Sequence, residues 1–351
     1  MAEQLTPGAV GRSLRLAPAH QDSPLYRHLA DAFNASPEAL RAIDSAPPRR
    51  RNLSLVLAAL HDRALAGHAP ELAAAYVTQD PEAAAGAAIG TLLQQTAAVV
   101  EIVGRRTLKP DETGHHAVLY PAIAEVARRA GARRIGLVEV GCSAGLNLGV
   151  DRAGITYGNG QTLGDASSAV RTQCAVVGPG TIPTTPLPEV VARIGLDEAP
   201  LDLGDPDDAR WLRACRPPDR PDPSLLPETA LAAGQNRVII GGDPLENLPG
   251  AFRAVPTDAV PVVLNAWALN RFTLERRLRF LNCLDAAATH RPIGWASVEG
   301  VGVAPGIATF GDRPASGHSI IGLGVFGHAT VGTEAVGRVW SRGRLMSWVA
   351  R

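Results

Sequence analysis

The sequence predicts an α/β fold, a doubly wound parallel sheet covered by helices on both faces, preceded by an all-helical module. Three observations carry this. Before residue 135 the apolar residues recur at helical spacing and no run reads as a strand. After it, short apolar runs alternate with helical stretches, the pattern of a parallel sheet. The first of those runs, Ile135 to Val140, has an acid next to its last residue and passes into a small-residue turn.

Composition bounds what such a chain can be. Its 351 residues suit one large α/β domain with an added module, or two modest domains. Apolar residues make up 46% but aromatics only 4%, so Ala, Leu and Val must fill most of the core. The formal charge is zero, which gives no electrostatic footprint for nucleic acid or for an anionic membrane. The sharpest charge run, Arg49 to Arg51, reads as a solvated loop. Cys142, Cys174, Cys215 and Cys283 are scattered without CxxC or His spacing, so reduced thiols are expected and no metal site. Met1 to Gly11 lacks a signal-peptide core and no apolar run approaches 18 residues, so a soluble, cytoplasmic protein is expected.

In the helical module, residues 1–130 with a polar tail over 1–20, Ser36-Pro37 and Asp80-Pro81 each place an N-cap before a proline at the first helical position. Leu53, Val56, Leu57 and Leu60 form one apolar helix face. Thr91 to Val103 and Pro121 to Ala130 also read as helices. The sheet domain, 131–351, begins with the strand Ile135 to Val140. Ile155 to Tyr157 and Val170 to Val177 are expected to form an inserted hairpin near 154–178. Then come a proline-rich connection (Pro179 to Pro188), a buried strand (Arg193 to Asp197) and short helices near Asp207 to Ala214 and Glu228 to Ala233. Strands at Arg237 to Gly241, Val260 to Leu264 and Pro292 to Ser297 follow, the last two separated by a helix over Leu274 to Ala288. His318 to Phe326 and Arg338 to Val349 are expected to close the sheet as an antiparallel pair.

The turn, Glu139-Val-Gly141-Cys-Ser143-Ala-Gly145-Leu-Asn147, has two chemical readings and a bland one. In the first it is a variant of the E/D-x-G-x-G-x-G turn of class I methyltransferases, with a Rossmann-like sheet. Gly141 permits the tight turn, and small residues at 143 and 145 let the backbone approach a cofactor. The following helix offers free N–H groups. Glu139 would meet the amino group of S-adenosylmethionine (SAM), and Ser143 replaces the middle glycine. In the second reading the same residues form G-x-S-x-G, the nucleophile elbow of α/β-hydrolases, with Ser143, Asp243 and His318 in the required order. In the third the turn simply joins strand to helix with no ligand.

Three later segments weigh toward SAM. Arg193-Ile-Gly-Leu-Asp197 places an acid at a strand end, where a carboxylate would accept from the ribose hydroxyls. Asp243, after Val238-Ile-Ile-Gly-Gly242, resembles the turn that meets the adenine amino group. Val262-Val-Leu-Asn265-Ala-Trp267 resembles the segment that faces substrate and methyl group.

These residues carry a family resemblance. Glu139 to Leu148, then Asp151-Arg152 and Tyr157-Gly158, resemble the central block of the bacterial DUF2332 family, whose members look methyltransferase-like. The resemblance extends over Ser23-Pro-Leu-Tyr26, Leu119-Tyr-Pro121, Gly195-Leu-Asp197, Pro200-Leu-Asp202, Asp205 to Leu212, Trp295 and Glu299. The chain looks like a divergent member. Lys109-Pro-Asp-Glu112 stands where the family usually has Q-T-N-E, His115 where an Arg is expected, and Asn265-Ala266 where His-Ser is usual. These departures imply a retained cofactor with a changed substrate or reaction.

The expected chemistry is therefore SAM-dependent transfer, foremost methyl transfer to a small molecule in specialised metabolism. Catalytic candidates are Glu112, His115, Asn147 and Tyr157, with His116 and Asp151 as further bases; cofactor contacts are expected from Glu139, Gly141, Ser143, Gly145, Asn147, Asp197, Asp243 and Asn265. Each has a plainer role open to it. His115-His116 would be exposed loop, Asp151-Arg152 a helix-end ion pair, Tyr157 hairpin packing, and Asn147 a cap of the turn. Other open readings are cyclisation of SAM to azetidine-2-carboxylate with release of methylthioadenosine, a serine hydrolase, and a non-catalytic SAM-binding scaffold. The acidic group Asp202, Asp205, Asp207 and Asp208 is expected to begin a helix. The N-terminal helices are expected to cap the cofactor cleft or to form a homodimer face.

Overall fold

The structure is a computed structural model that describes residues 14–17, 20–109, 114–220, 225–234, 236–327 and 332–349. It divides into two compact units, Met1–Pro110 with Asp205–Pro221, and Asp111–Gly204 with Asp222–Arg351.

The first unit holds helices α1 (Pro24–Ala35), α2 (Pro37–Asp44), α3 (Leu53–Leu65), α4 (Pro70–Thr78), α5 (Pro81–Gln94) and α6 (Thr96–Arg105). Ser23, Ser36, Asn52 and Asp80 cap α1, α2, α3 and α5 through their side chains, as their positions before an apolar run suggest. The single helix expected over Thr91 to Val103 is broken instead. Gln95 leaves the helical region (φ −125°, ψ 31°) and the chain bends by 89°. Its amide binds the Arg63 guanidinium at 2.8 Å and the His68 carbonyl at 2.7 Å, which fixes the bend. Among the described residues no single helix is long and apolar enough to cross a membrane.

The second unit opens with α7 (His116–Arg129) and the strand β1 (Arg134–Val140). The 3₁₀ turn Leu146–Arg152 leads to β2 (Gly154–Tyr157), β3 (Thr162–Gly164), β4 (Arg171–Val176) and β5 (Glu189–Asp197). Helix α8 (Pro206–Ala214) returns to the first unit. Then follow α9 (Leu225–Ala233), β6 (Val238–Gly241), α10 (Pro244–Ala254), β7 (Val260–Ala266), α11 (Leu274–Ala288), β8 (Ile293–Gly300), β9 (Ser319–Phe326), β10 (Gly332–Trp340) and β11 (Leu345–Trp348).

The strands join in one sheet of order β3-β2-β4-β11-β10-β9-β8-β7-β1-β5-β6. From β6 through β5, β1 and β7 to β8 every pairing is parallel; β8, β9, β10 and β11 run antiparallel. Alternation along β1 builds both faces. Ile135 and Leu137 join the α7 residues Leu119, Ile123 and Val126 in one core cluster. Val138 and Val140 join Leu248 and Phe252 of α10 and Phe280 and Leu284 of α11 in the other. This is an α/β fold with helices on both faces of the sheet.

The differences from the sequence reading have local causes. Helix α7 starts at His116, carries Pro121 inside it and packs on the sheet. The residues expected to form one hairpin separate: β2 pairs antiparallel with β3, but parallel with β4. The partner of β9 is β10, not Arg338 to Val349 as one strand, because Ser341, Arg342 and Gly343 take left-handed φ and turn the chain into β11. The segment after Gly145 is a seven-residue 3₁₀ turn, not the expected α-helix. Helix α10 was not expected, although Asp243-Pro244 carries the same cap-and-proline signature as Asp80-Pro81.

Candidate functional site

The parallel strands leave β1 in two directions, first to β5 and β6, then to β7 and β8. The order reverses between β1 and β7, and the crevice beyond the carboxyl ends of such strands is where open α/β sheets take ligands. The sequence elements singled out above meet at these ends.

The turn after β1 is left-handed at Gly141 (φ 77°), Ser143 (51°) and Gly145 (69°). Glycine takes that conformation freely; Ser143 is strained. Bonds to the end of β5 hold it there. The Gly141 and Cys142 amides both donate to the Leu196 carbonyl (2.7 and 3.2 Å), and the Ser143 amide donates to the Asp197 carboxylate at 3.0 Å. A Cβ on Gly141 would come within 2.5 Å of Ala268 Cβ, and one on Gly145 within 2.8 Å of the Arg237 guanidinium. On the side a Cβ would occupy, Gly141 is closed by Ala268 and Gly145 by the end of the Arg237 side chain. Arg237 donates to the Ala144 carbonyl, and burial lowers its pKa. The Ser143 hydroxyl is buried and has no hydrogen-bond partner among the described residues.

Two expected contacts come together. The Glu139 side chain is buried at the end of β1 and accepts from Asn147 Nδ2 at 2.7 Å. Others are engaged elsewhere. Asp197 is buried, with its oxygens on the Ser143 and Ala199 amides, so it fixes the turn. Asp243 caps α10 and forms a two-bond pair with Arg276 (2.9 and 3.0 Å), whose guanidinium holds its carboxyl below the usual range. Asn265 is fully buried: it accepts from Trp295 Nε1 at 2.7 Å and donates to Ser297 Oγ and to Glu299 Oε1.

Tyr157 is a core residue. Pro121 has no amide to give Ala117, four residues before it in α7; the Tyr157 hydroxyl donates to that carbonyl instead, at 2.6 Å. Burial raises its pKa, so as a proton acceptor it is poorly placed. Asp151 pairs with Arg193 through both oxygens rather than with Arg152. His115 and His116 are buried, not exposed loop. The His115 ring lies 4.7 Å from Trp267, centroid to centroid. His116 Nε2 donates to the Leu146 carbonyl at 3.2 Å, and burial lowers its pKa. Glu112 lies outside the described residues.

The hydrolase constellation is not brought together. Asp243 is paired with Arg276, and His318 bonds to Asp312 at 2.9 Å. Of the acidic group, Asp205 caps α8, Asp207 pairs with Arg210 and Asp208 with Arg106. Among the described residues no three His, Cys, Asp or Glu side chains are placed to hold a metal ion.

Sequence reasoning named Glu299, near the end of β8, only within the family resemblance and gave it no role in the site. Its Oε1 accepts from Asn265 Nδ2 and from the Ala268 and Leu269 amides, each at 2.8 Å. Its Oε2 is buried with no partner among the described residues, and burial pushes its pKa up to about 7. An acid near the end of an apolar run, Trp295-Ala-Ser-Val-Glu299, was the available signal, the same one that marked Glu139.

The family described as "Uncharacterized protein conserved in bacteria (DUF2332)" matches residues 14–348. The chain belongs to that family. No curated protein and no solved structure matches it.

Proposed function

We propose that this protein is a SAM-dependent transferase acting on a small molecule, with methyl transfer in specialised metabolism as its leading reaction. The observation that carries the reading is Glu139: a carboxylate buried at the point where the order of the parallel strands reverses, held by Asn147 beside a left-handed turn. The order β6-β5-β1-β7-β8 is that of the Rossmann-like half-sheet, and its class I methyltransferase form is part of this proposal.

The residues fit the cofactor in part. A buried carboxylate suits the ammonium of SAM's amino acid end, and Trp267 offers an aromatic face at the end of β7. Asp197 and Asp243 fit less well in their expected roles, since their oxygens are already bonded. When bound, SAM supplies an activated carbon on its sulfonium. The chain's own part is to bind and orient. Asn147 fixes the Glu139 carboxylate, and Glu299 holds the loop that carries Trp267. His116, neutral through burial, keeps a ring nitrogen free of a proton while its other nitrogen donates to Leu146.

Calorimetry with SAM and S-adenosylhomocysteine tests the reading, followed by mass spectrometry without an added acceptor. Binding of both with SAM left intact supports methyl transfer. Accumulating methylthioadenosine turns the reading to cyclisation, and binding with no turnover on any acceptor to a scaffold. Binding of neither removes it.

A second reading, a serine hydrolase, is favoured by one feature: Ser143 is strained and its hydroxyl lacks a partner among the described residues. Labelling of Ser143 by a fluorophosphonate, lost in Ser143→Ala, would support it.

A further inference from the structure

We infer that Arg237 and Glu139 form one receptor for a zwitterionic α-amino acid end, with Arg237 taking the carboxylate and Glu139 the ammonium. The inference rests on the SAM reading for the remainder of the ligand.

The first ground is placement. Glu139 of β1 is in register with Gly195 of β5, and Gly195 with Ile239 of β6. Glu139 alternates with Ile135 and Leu137, and Ile239 packs against the same α7-side cluster, so both stand on one face of the sheet. The end of the Arg237 side chain lies beside Ile239 there: a Cβ on Gly145 would meet Arg237 Nη1 at 2.8 Å and Ile239 Cδ1 at 3.0 Å. Both charged residues reach the same turn. Asn147 at its far end donates to Glu139, and Arg237 donates to the Ala144 carbonyl. Only β5 separates β1 from β6, which sets those two strands about 10 Å apart. An α-amino acid end with a hydrogen bond at each pole spans roughly 8 Å.

The second ground is the bonding of the guanidinium, a fork of N–H groups suited to a carboxylate. Among the described residues Arg237 makes a single hydrogen bond, to Ala144, and no ion pair. Other inward arginines are answered more fully. Arg193, Arg210 and Arg276 each meet a carboxylate, from Asp151, Asp62 and Asp243. Arg291 donates to the carbonyls of Phe252, Val255, Pro256 and Ala259. Arg237 is half-buried with neither arrangement.

The third ground is charge. Burial lowers the Arg237 pKa, against the opposing influence of Cys142, Glu139 and Asp202. A carboxylate bound by the fork would offset that penalty, which a neutral or cationic group would not. Glu139, buried on the same face, sets the opposite preference. A ligand that answers both carries both charges at one end.

The test compares SAM with decarboxylated SAM, which keeps the ammonium and the sulfonium and lacks the carboxylate. Calorimetry on wild type, Arg237→Met and Arg237→Lys reads the ratio of the two affinities. Wild type should favour SAM by about tenfold or more. The methionine variant should weaken SAM about tenfold and leave decarboxylated SAM within about twofold, and lysine, with the charge but not the fork, should restore part of the preference. Glu139→Gln should weaken both ligands alike, since both carry the ammonium; a loss confined to SAM overturns the inference. A wild type with no preference, or a methionine variant that changes both ligands equally or neither, overturns it while leaving the SAM reading in place. A wild type that binds neither SAM nor S-adenosylhomocysteine overturns both. An Arg237→Met protein that loses its circular dichroism is replaced in the comparison by Arg237→Lys, which should then show a smaller loss confined to SAM; an unchanged ratio overturns the inference.

Discussion

Glu299 should make this protein less stable as pH rises from 4.5 to about 7, and its glutamine variant should not share that loss. The carboxyl has an ordinary pKa of 4.5 and sits near 7 in the fold, chiefly because burial penalises its charge against the bonds from Leu269, Asn265 and Ala268. A raised carboxyl pKa means that the native state holds the proton more tightly than the unfolded chain does. The stabilisation is therefore whole below pH 4.5, falls between 4.5 and 7, and is gone above. At ~1.4 kcal/mol per tenfold in proton affinity, the native state gives up about 3 kcal/mol across that interval. In Glu299→Gln the amide oxygen keeps the accepted bonds, and the new NH₂ adds a constant offset where Oε2 had no partner. Urea unfolding of both proteins at pH 4.5, 5.5, 6.5 and 8, followed by tryptophan fluorescence, reads the difference. The variant should gain about 3 kcal/mol on wild type between the ends of the series. Parallel curves would refute the reasoning, and so would a wild type that gains stability relative to the variant as pH rises.

Tyr157→Phe should cost about 1–3 kcal/mol by stripping the Ala117 carbonyl of its donor; restoring an amide with Pro121→Ala should recover part of it, seen as a coupling energy in a double-mutant cycle of urea midpoints. Gly145→Ala should destabilise by about 1–3 kcal/mol, because the new Cβ meets Arg237 and Ile239 at φ 69°; a thermal scan with unchanged Tm would contradict this. Asp243→Ala should lose about 1–2 kcal/mol with the α10 cap and the Arg276 pair, while Asp243→Asn keeps the cap and loses less. Neither should change SAM affinity if Asp243 is a cap, and calorimetry on Asp243→Asn checks that.

The strands of the parallel half were legible because each is a short apolar run closed by a polar or turn-forming residue, as in Val138-Glu139-Val140-Gly141 and Leu196-Asp197. Helix α11 was legible to both its ends. What failed depended on contacts that no local pattern carries. The 3₁₀ turn after Gly145 is pinned by Arg193, which donates to the Leu148 carbonyl and pairs with Asp151 from β5. The break at Gln95 depends on Arg63 and His68. For the site, the motif singled out Glu139 and Asn147 but not the bond between them. Asp197 and Asp243 were read as ligand contacts because an acid after an apolar strand looks the same in sequence whether it meets a ligand, caps a helix or braces a turn.

That ambiguity moves the weight of the functional reading. Gly141 is required by Ala268 and by its left-handed φ, and Gly145 by its left-handed φ, whether or not a cofactor is present, so the turn alone is weak support for SAM. Glu299 and Trp267 are different in kind. A carboxylate buried with one oxygen unpartnered among the described residues costs stability above pH 7, and a left-handed tryptophan adds a cost of about 1–3 kcal/mol. The tryptophan's cost is offset by its packing on the α7 face of the core, against His115, and by its bond to Ser319. Glu299 keeps its cost because one of its oxygens gathers Asn265 Nδ2 and the Ala268 and Leu269 amides, so the end of β8 holds the loop that follows β7.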